Sequence, residues 1–231
     1  MKPIIDRHKI ASRAKLSHIA SLGGLAALLV SVALPMFRQD LASISSPLMI
    51  IGLATSMVGI YFANRWVKKP RPEDGLDKAL KGLSDHHRLY HYPALPCDHV
   101  LLAPDGIIVL ETVNLSGRFS YKGGRWKEKM TIGRALRSIV EEQLGDPVKA
   151  ARAAENQLKK IFDEQIATGA NIPVNSLVVF AHPAVELEIE NPPLPVCKLD
   201  KLRRHIPNIP ARLHPEVYEN LQQFLEAKTL R

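Results

Sequence analysis

Two stretches of the chain break the ordinary mixing of polar and apolar positions. Residues 19–37 run for 19 positions without a charged side chain, and residues 44–63 for 20. An α-helix rises 1.5 Å per residue, so about 20 apolar residues match a hydrocarbon core roughly 30 Å thick. Within lipid the backbone must satisfy its own hydrogen bonds, which makes both stretches helical. Only residues 38–43 separate them, which predicts a transmembrane hairpin and argues against a cleaved leader, whose apolar region is shorter. Gly23, Gly24, Ala26, Ala27, Gly52, Ala54 and Gly59 supply small faces on which two helices pack closely.

The rest of the chain reads as one soluble unit. Residues 64–75 form a polar linker rich in turn residues. Apolar positions 76, 79, 80 and 83 follow the i, i+3, i+4, i+7 spacing of an amphipathic helix. Residues 89–92 are a short strand candidate. Residues 100–102 and 107–113 are β-rich runs joined by Ala103-Pro104-Asp105-Gly106, a composition that favours a tight hairpin turn. A further strand and turn are expected over 117–125. A long helix is expected over 147–166, opened by Pro147, followed by a buried strand over 175–181 and an edge strand near 185–189. Closing helices are expected over 199–206 and 215–227. The predicted organisation is a basic N-terminal segment (1–18), two spans (19–63), a linker (64–75) and an α/β domain (76–231). That last segment is long enough for one hydrophobic core.

Charge adds orientation. Residues 1–71 hold ten Lys or Arg and two Asp, whereas residues 72–231 hold 21 basic and 21 acidic residues. Lys2, Arg7, Lys9, Arg13 and Lys15 precede the first span, and Arg65, Lys68, Lys69 and Arg71 follow the second. The connecting loop carries only Arg38 and Asp40. Basic flanks prefer the cytoplasmic side, so both termini are expected in the cytoplasm of a two-span cell-membrane protein, with Tyr61 and Trp66 as interfacial anchors. The net charge of +8 therefore belongs to the membrane region and its lipid headgroups. It is no sign of a polyanion-binding domain, which needs clustered positive charge. A basic run at Lys198, Lys201, Arg203 and Arg204 reads as a solvated face, with an anionic leaflet as its functional alternative. Cys97 and Cys197 lack the spacing of a zinc site or redox pair, and cytoplasm disfavours a disulfide. Cys97 has no evident base beside it to make it a nucleophile. His86, His87, His91 and His99 match no standard zinc arrangement and read as polar linker residues. Alternation along the strand sends His99 to the face opposite Asp98.

The segment with the most chemical content is 97–117, CDHVLLAPDGIIVLETVNLSG. Folding about the Pro104–Gly106 turn sets Asp98 opposite residues 111 to 112. Two carboxylates at one end of a sheet can share Mg²⁺ or Mn²⁺, because such ions accept a few carboxylate oxygens plus water; strand-end acids are also common without that role. Asp98-His99-Val100, Pro104-Asp105-Gly106, the apolar run 107–110, Glu111-Thr112-Val113-Asn114 and Gly117 together resemble the nuclease-related domain family, a branch of the PD-(D/E)XK nuclease superfamily. Gly123-Gly124-Arg125-Trp126, the helix start Asp146-Pro147-Val148-Lys149 and the strand 177–180 with Pro183 extend the likeness over about residues 75–206.

The resemblance implies a restriction-endonuclease-like α/β domain with a central mixed sheet, in which Asp98 and Glu111 match the two metal-ligand positions. It also exposes departures. The position of the family's catalytic lysine holds Val113. The early helical Glu aligns near Leu76, and the Gln of the long helix near Ala150. Lys122, Lys127 and Lys149 are the candidates to replace the lysine from flanking elements. The reading that follows is a membrane-anchored nuclease-related protein, catalytically impaired, that binds a protein partner or another copy of itself. The alternatives are a metal-dependent DNA or RNA phosphodiesterase with a relocated lysine, and an unrelated membrane-tethered interaction domain. A domain without net charge gives nucleic acid little electrostatic hold.

Overall fold

The structure is a computed structural model that describes residues 1–130, 143–166, 172–206 and 212–230. It divides into two compact units: a helical hairpin within Arg7–Lys69, and an α/β unit made from residues 1–6, 70–130 and the described residues from 144 onward.

In the hairpin, α1 spans Arg7–Phe37 and α2 spans Ala42–Trp66. Both are long and apolar enough to cross a membrane, with mean hydropathies of 2.1 and 1.7 over their best windows and few of those residues buried. That places large side chains such as Leu22, Leu29, Val32 and Ile50 on the outside, as lipid-facing positions require. The small residues lie inside. A Cβ on Gly24 would stand 2.6 Å from the backbone nitrogen of Ser56, and one on Gly59 2.5 Å from that of Ser21. Ser17 adds a buried hydrogen bond to the Gly59 carbonyl at 3.0 Å. The glycines thus serve packing within the hairpin, whereas nothing lies within 4 Å of a Cβ on Gly23. Gly24→Leu is expected to weaken the hairpin by about 1–3 kcal/mol through overpacking, and Gly23→Leu to leave it unchanged. Crosslinking yield between cysteines on α1 and α2 in native membranes measures the difference.

The α/β unit opens where a basic flanking segment was expected. Lys2–Ile5 forms strand β1, and α1 begins two residues later. After the hairpin come α3 (Pro72–Leu80), β2 (Arg88–His91), β3 (His99–Ala103), β4 (Gly106–Val113), β5 (Gly117–Lys122) and β6 (Arg125–Glu128). Helix α4 (Pro147–Gln165), β7 (Val174–Phe180), β8 (Val185–Ile189), β9 (Val196–Lys198), α5 (Leu202–His205) and α6 (Pro215–Thr229) complete it. The expected elements of this unit are present within a few residues of their predicted ends, β6 and β9 are additional strands, and two elements differ in detail. Helix α3 starts at Pro72, inside the expected linker, and a short 3₁₀ turn occupies the first half of the expected 199–206 helix.

The central sheet is mixed and six-stranded, in the order β1-β2-β3-β4-β7-β9; β6, β5 and β8 form a separate three-stranded sheet. Strand alternation sends neighbouring residues to opposite faces. Val100, Leu102, Ile107 and Val109 pack with Leu158 and Phe162 of α4 and with Val217, Leu221 and Leu225 of α6. Leu89, Leu101, Ile108 and Leu110 pack on the other face with Leu76 and Leu80 of α3 and Leu202 of α5. At the end of β4 a third cluster joins Val113, Val178 and Phe180 to Phe119, Tyr121 and Val185 of the smaller sheet and to Val148 and Ala151 of α4. Asp146 starts α4 by accepting a hydrogen bond from the Lys149 backbone nitrogen at 3.1 Å, which satisfies one of the open donors of its first turn.

Candidate functional site

The β3–β4 hairpin pairs Val100 with Val109, Leu101 with Ile108 and Leu102 with Ile107. Extending that register by two positions brings Asp98, just before β3, level with Glu111. Alternation along β4 puts Glu111 on the face of Val109 and Val113, the α4 face. His99 lies on the α3 face with Leu101.

Leu76, Ala150 and Val113, the three positions at which the resemblance implies departures, lie in different surroundings. Leu76 is fully buried in the apolar cluster beneath α3. Ala150 lies on the exposed side of α4, while its neighbour Ala151 is the one turned inward. Val113 is 8% exposed and packs among Leu115, Phe119 and Phe180. The expected lysine position is therefore a largely buried, apolar position.

Lys122, Lys127 and Lys149 are all exposed. Lys122 is engaged by Glu190 at 2.7 Å, and Lys149 stands in the first turn of α4. Another lysine lies closer to the sheet. Lys159 donates to Glu155 at 2.6 Å, and Glu155 also accepts from the buried hydroxyl of Ser176 at 2.7 Å. Ser176 pairs with Val109 across β4 and β7, so this trio occupies the face that carries Glu111.

A buried polar network on the α3 side went unread in the sequence. Glu73 is 1% exposed and accepts from the Tyr92 hydroxyl at 2.8 Å. Arg71 Nε lies 3.0 Å from the other Glu73 oxygen, near enough for an ion pair but too poorly aligned for a hydrogen bond. Tyr92 holds a left-handed backbone at φ 58°, uncommon for a bulky side chain. Its backbone nitrogen donates to the Asp98 carbonyl at 2.6 Å, which closes the loop between β2 and β3. Beside it, the Nδ1 atoms of His91 and His99 lie 2.8 Å apart, and His91 Nε2 lies 3.1 Å from Asp77. A bond between two ring nitrogens needs one donor and one acceptor, so the pair shares a single hydrogen on that axis. His91 and His99 are 0% and 1% exposed. They are interior groups, not the polar linker residues that their sequence neighbourhood suggested. His86 is exposed and His87 only partly buried.

One signal could have found this network. Glu73 shares the i, i+3, i+4, i+7 stripe of Leu76, Asp77 and Leu80, so a helix begun at Pro72 turns its first glutamate inward. The early helical glutamate expected near Leu76 thus has a buried counterpart one turn earlier.

Among the described residues no group of three His, Cys, Asp or Glu side chains is placed to hold a metal ion. Two carboxylates alone suit Mg²⁺ only with water or substrate filling most of its octahedron. The thiols offer little chemistry. Both cysteines are buried, and burial, with Asp200 nearby, pushes the Cys197 thiol up to about 12, so it stays protonated and unreactive.

Residues 71–181 match the nuclease-related domain family. The match covers just under half of the chain. The match starts at Arg71, so it takes in Glu73 and all of α3, and it ends with the β7 strand. Comparison with curated proteins finds no match, and neither does comparison with solved structures. The chain thus combines two helices long and apolar enough to cross a membrane with a segment that matches the nuclease-related domain family.

Proposed function

We propose that this protein is a cell-membrane protein with two spans and cytoplasmic termini, whose nuclease-related domain is catalytically impaired and acts in binding or scaffolding. The observation that carries this reading is Val113. In the PD-(D/E)XK pattern that Asp98, Glu111 and Asn114 resemble, the residue two after the glutamate supplies a lysine that stabilises charge developing on a phosphodiester. Here it is an aliphatic side chain enclosed by other apolar side chains. Asp98 and Glu111 would hold Mg²⁺ or Mn²⁺ weakly, and the ion would supply Lewis acidity and water activation when bound. Such chemistry proceeds slowly without the assisting cation.

A domain without net charge is better suited to a protein partner than to nucleic acid. Tethering beside the bilayer raises its effective concentration for anything else on that surface. The inward use of Gly24 and Gly59 leaves self-association to other surfaces. Crosslinking in native membranes followed by mass measurement tests the binding role: a discrete complex larger than one chain is expected. A solely monomeric species, under conditions that capture other membrane complexes, would remove the proposal.

The specific support for the second reading, an active metal-dependent nuclease, is Lys159. It reaches the α4 face through Glu155 and Ser176, and that face carries Glu111.

A further inference from the structure

The membrane hairpin is inserted between two paired strands. Strand β1 precedes α1 and pairs in parallel with β2, which follows α2, in the register Lys2 to Arg88 through Ile5 to His91. The pairing extends past both ends, since Lys2 donates its backbone N–H to the His87 carbonyl at 3.1 Å and Asp6 to the His91 carbonyl at 3.3 Å. Ile4 is 7% exposed and packs with Tyr90, Val100 and α6 residues in the core. Parallel strands always need a long crossover connection, and here that connection contains both apolar helices.

Both junctions fasten to one end of the sheet. The chain leaves at Asp6, beside His91, with α1 starting at the next residue. It returns at Pro70, whose carbonyl accepts from Asn114 Nδ2 at 3.1 Å, and at Arg71, which meets Glu73. The strand directions put His91, Asp98, Glu111 and Asn114 at that same end.

We propose that β1 is a clasp: the sheet is completed within one chain only after α1 and α2 have crossed the bilayer in opposite directions, so membrane insertion controls completion of the domain. A chain whose first helix fails to insert, or whose N-terminus is left outside, lacks its edge strand and exposes β2. The inference rests on reading the helices as spans.

The test uses the full-length protein in native membranes, with Lys2→Cys and Arg88→Cys combined. Paired Cα atoms in neighbouring strands lie roughly 4.8 Å apart, within disulfide range, and Cys97 and Cys197 are buried. Mild oxidation is expected to give mainly an intramolecular disulfide, absent from a Lys2→Cys/Lys149→Cys control. Single Lys2→Cys and Arg88→Cys variants are expected to be equally protected from an impermeant maleimide in intact cells, and equally labelled after permeabilisation. Absence of the disulfide, a disulfide only between copies, or external labelling of Lys2→Cys alone would overturn the clasp. Alkaline extraction separates the two failures. Release of the chain from the membrane refutes the spans, whereas a retained chain without the disulfide refutes the clasp.

Discussion

Val113→Lys, which writes the family's lysine back into the motif, is expected to destabilise the α/β unit and to leave it without cleavage activity. Val113 is 8% exposed and touches apolar groups from three elements: the smaller sheet, β7 and the first turns of α4. An ammonium group placed among these apolar side chains loses its hydration, at a cost of about 3 kcal/mol or more. For a unit of this size that lowers Tm by about 10 °C, measurable by circular dichroism in detergent. The rings of Phe119 and Phe180 lie 5.6 Å apart in the same cluster. Val113→Leu, which keeps the position apolar, is expected to cost under about 1.5 kcal/mol. A Val113→Lys protein as stable as the parent would show that the position opens to solvent.

The second large effect is expected at Glu73. Glu73→Ala removes the acceptor of the Tyr92 hydroxyl and the ion-pair partner of Arg71 in one step. Orphaning a buried donor and a half-buried guanidinium costs about 2–4 kcal/mol. Tyr92→Phe removes only the hydroxyl, at about 1–2 kcal/mol. The double variant is expected to lose less than the sum of the two, because both delete the same bond. Strict additivity in thermal unfolding would mean that the two side chains do not interact in solution. Since Tyr92 also fixes the Asp98 carbonyl through its backbone, slackening this network is expected to loosen the loop that carries Asp98.

Which parts of this architecture were legible in the chain follows from how local their signals are. The two uncharged runs, the Pro104–Gly106 turn and the apolar stripe of α4 each declare themselves within a short window, and the corresponding elements are present. The register of the β3–β4 hairpin, with Val100 opposite Val109, followed from counting about its turn, which is also local. Strand β1 was not legible: four residues, Lys-Pro-Ile-Ile, carry too little pattern, and the partner strand lies beyond two membrane helices. The second sheet was hidden for a similar reason, because β5 finds β8 in parallel across α4 and β7. The buried His91–His99 pair escaped because histidine type alone does not report burial; only the register of β2 with β3, which pairs these two residues directly, brings them together. Leu76, Val113 and Ala150 were grouped by the family pattern as three vacancies of one site. The fold sends them to a core beneath α3, a core beyond β4 and the solvent.

The most direct measurement is cleavage by the purified full-length protein, incubated with Mg²⁺ or Mn²⁺ and with linear, nicked and single-stranded DNA and RNA. An impaired domain predicts no turnover above that of a Glu111→Ala variant on any of these substrates. Robust cleavage that Glu111→Ala abolishes would contradict it, and loss of the same activity in Lys159→Ala would identify the lysine that took over from position 113.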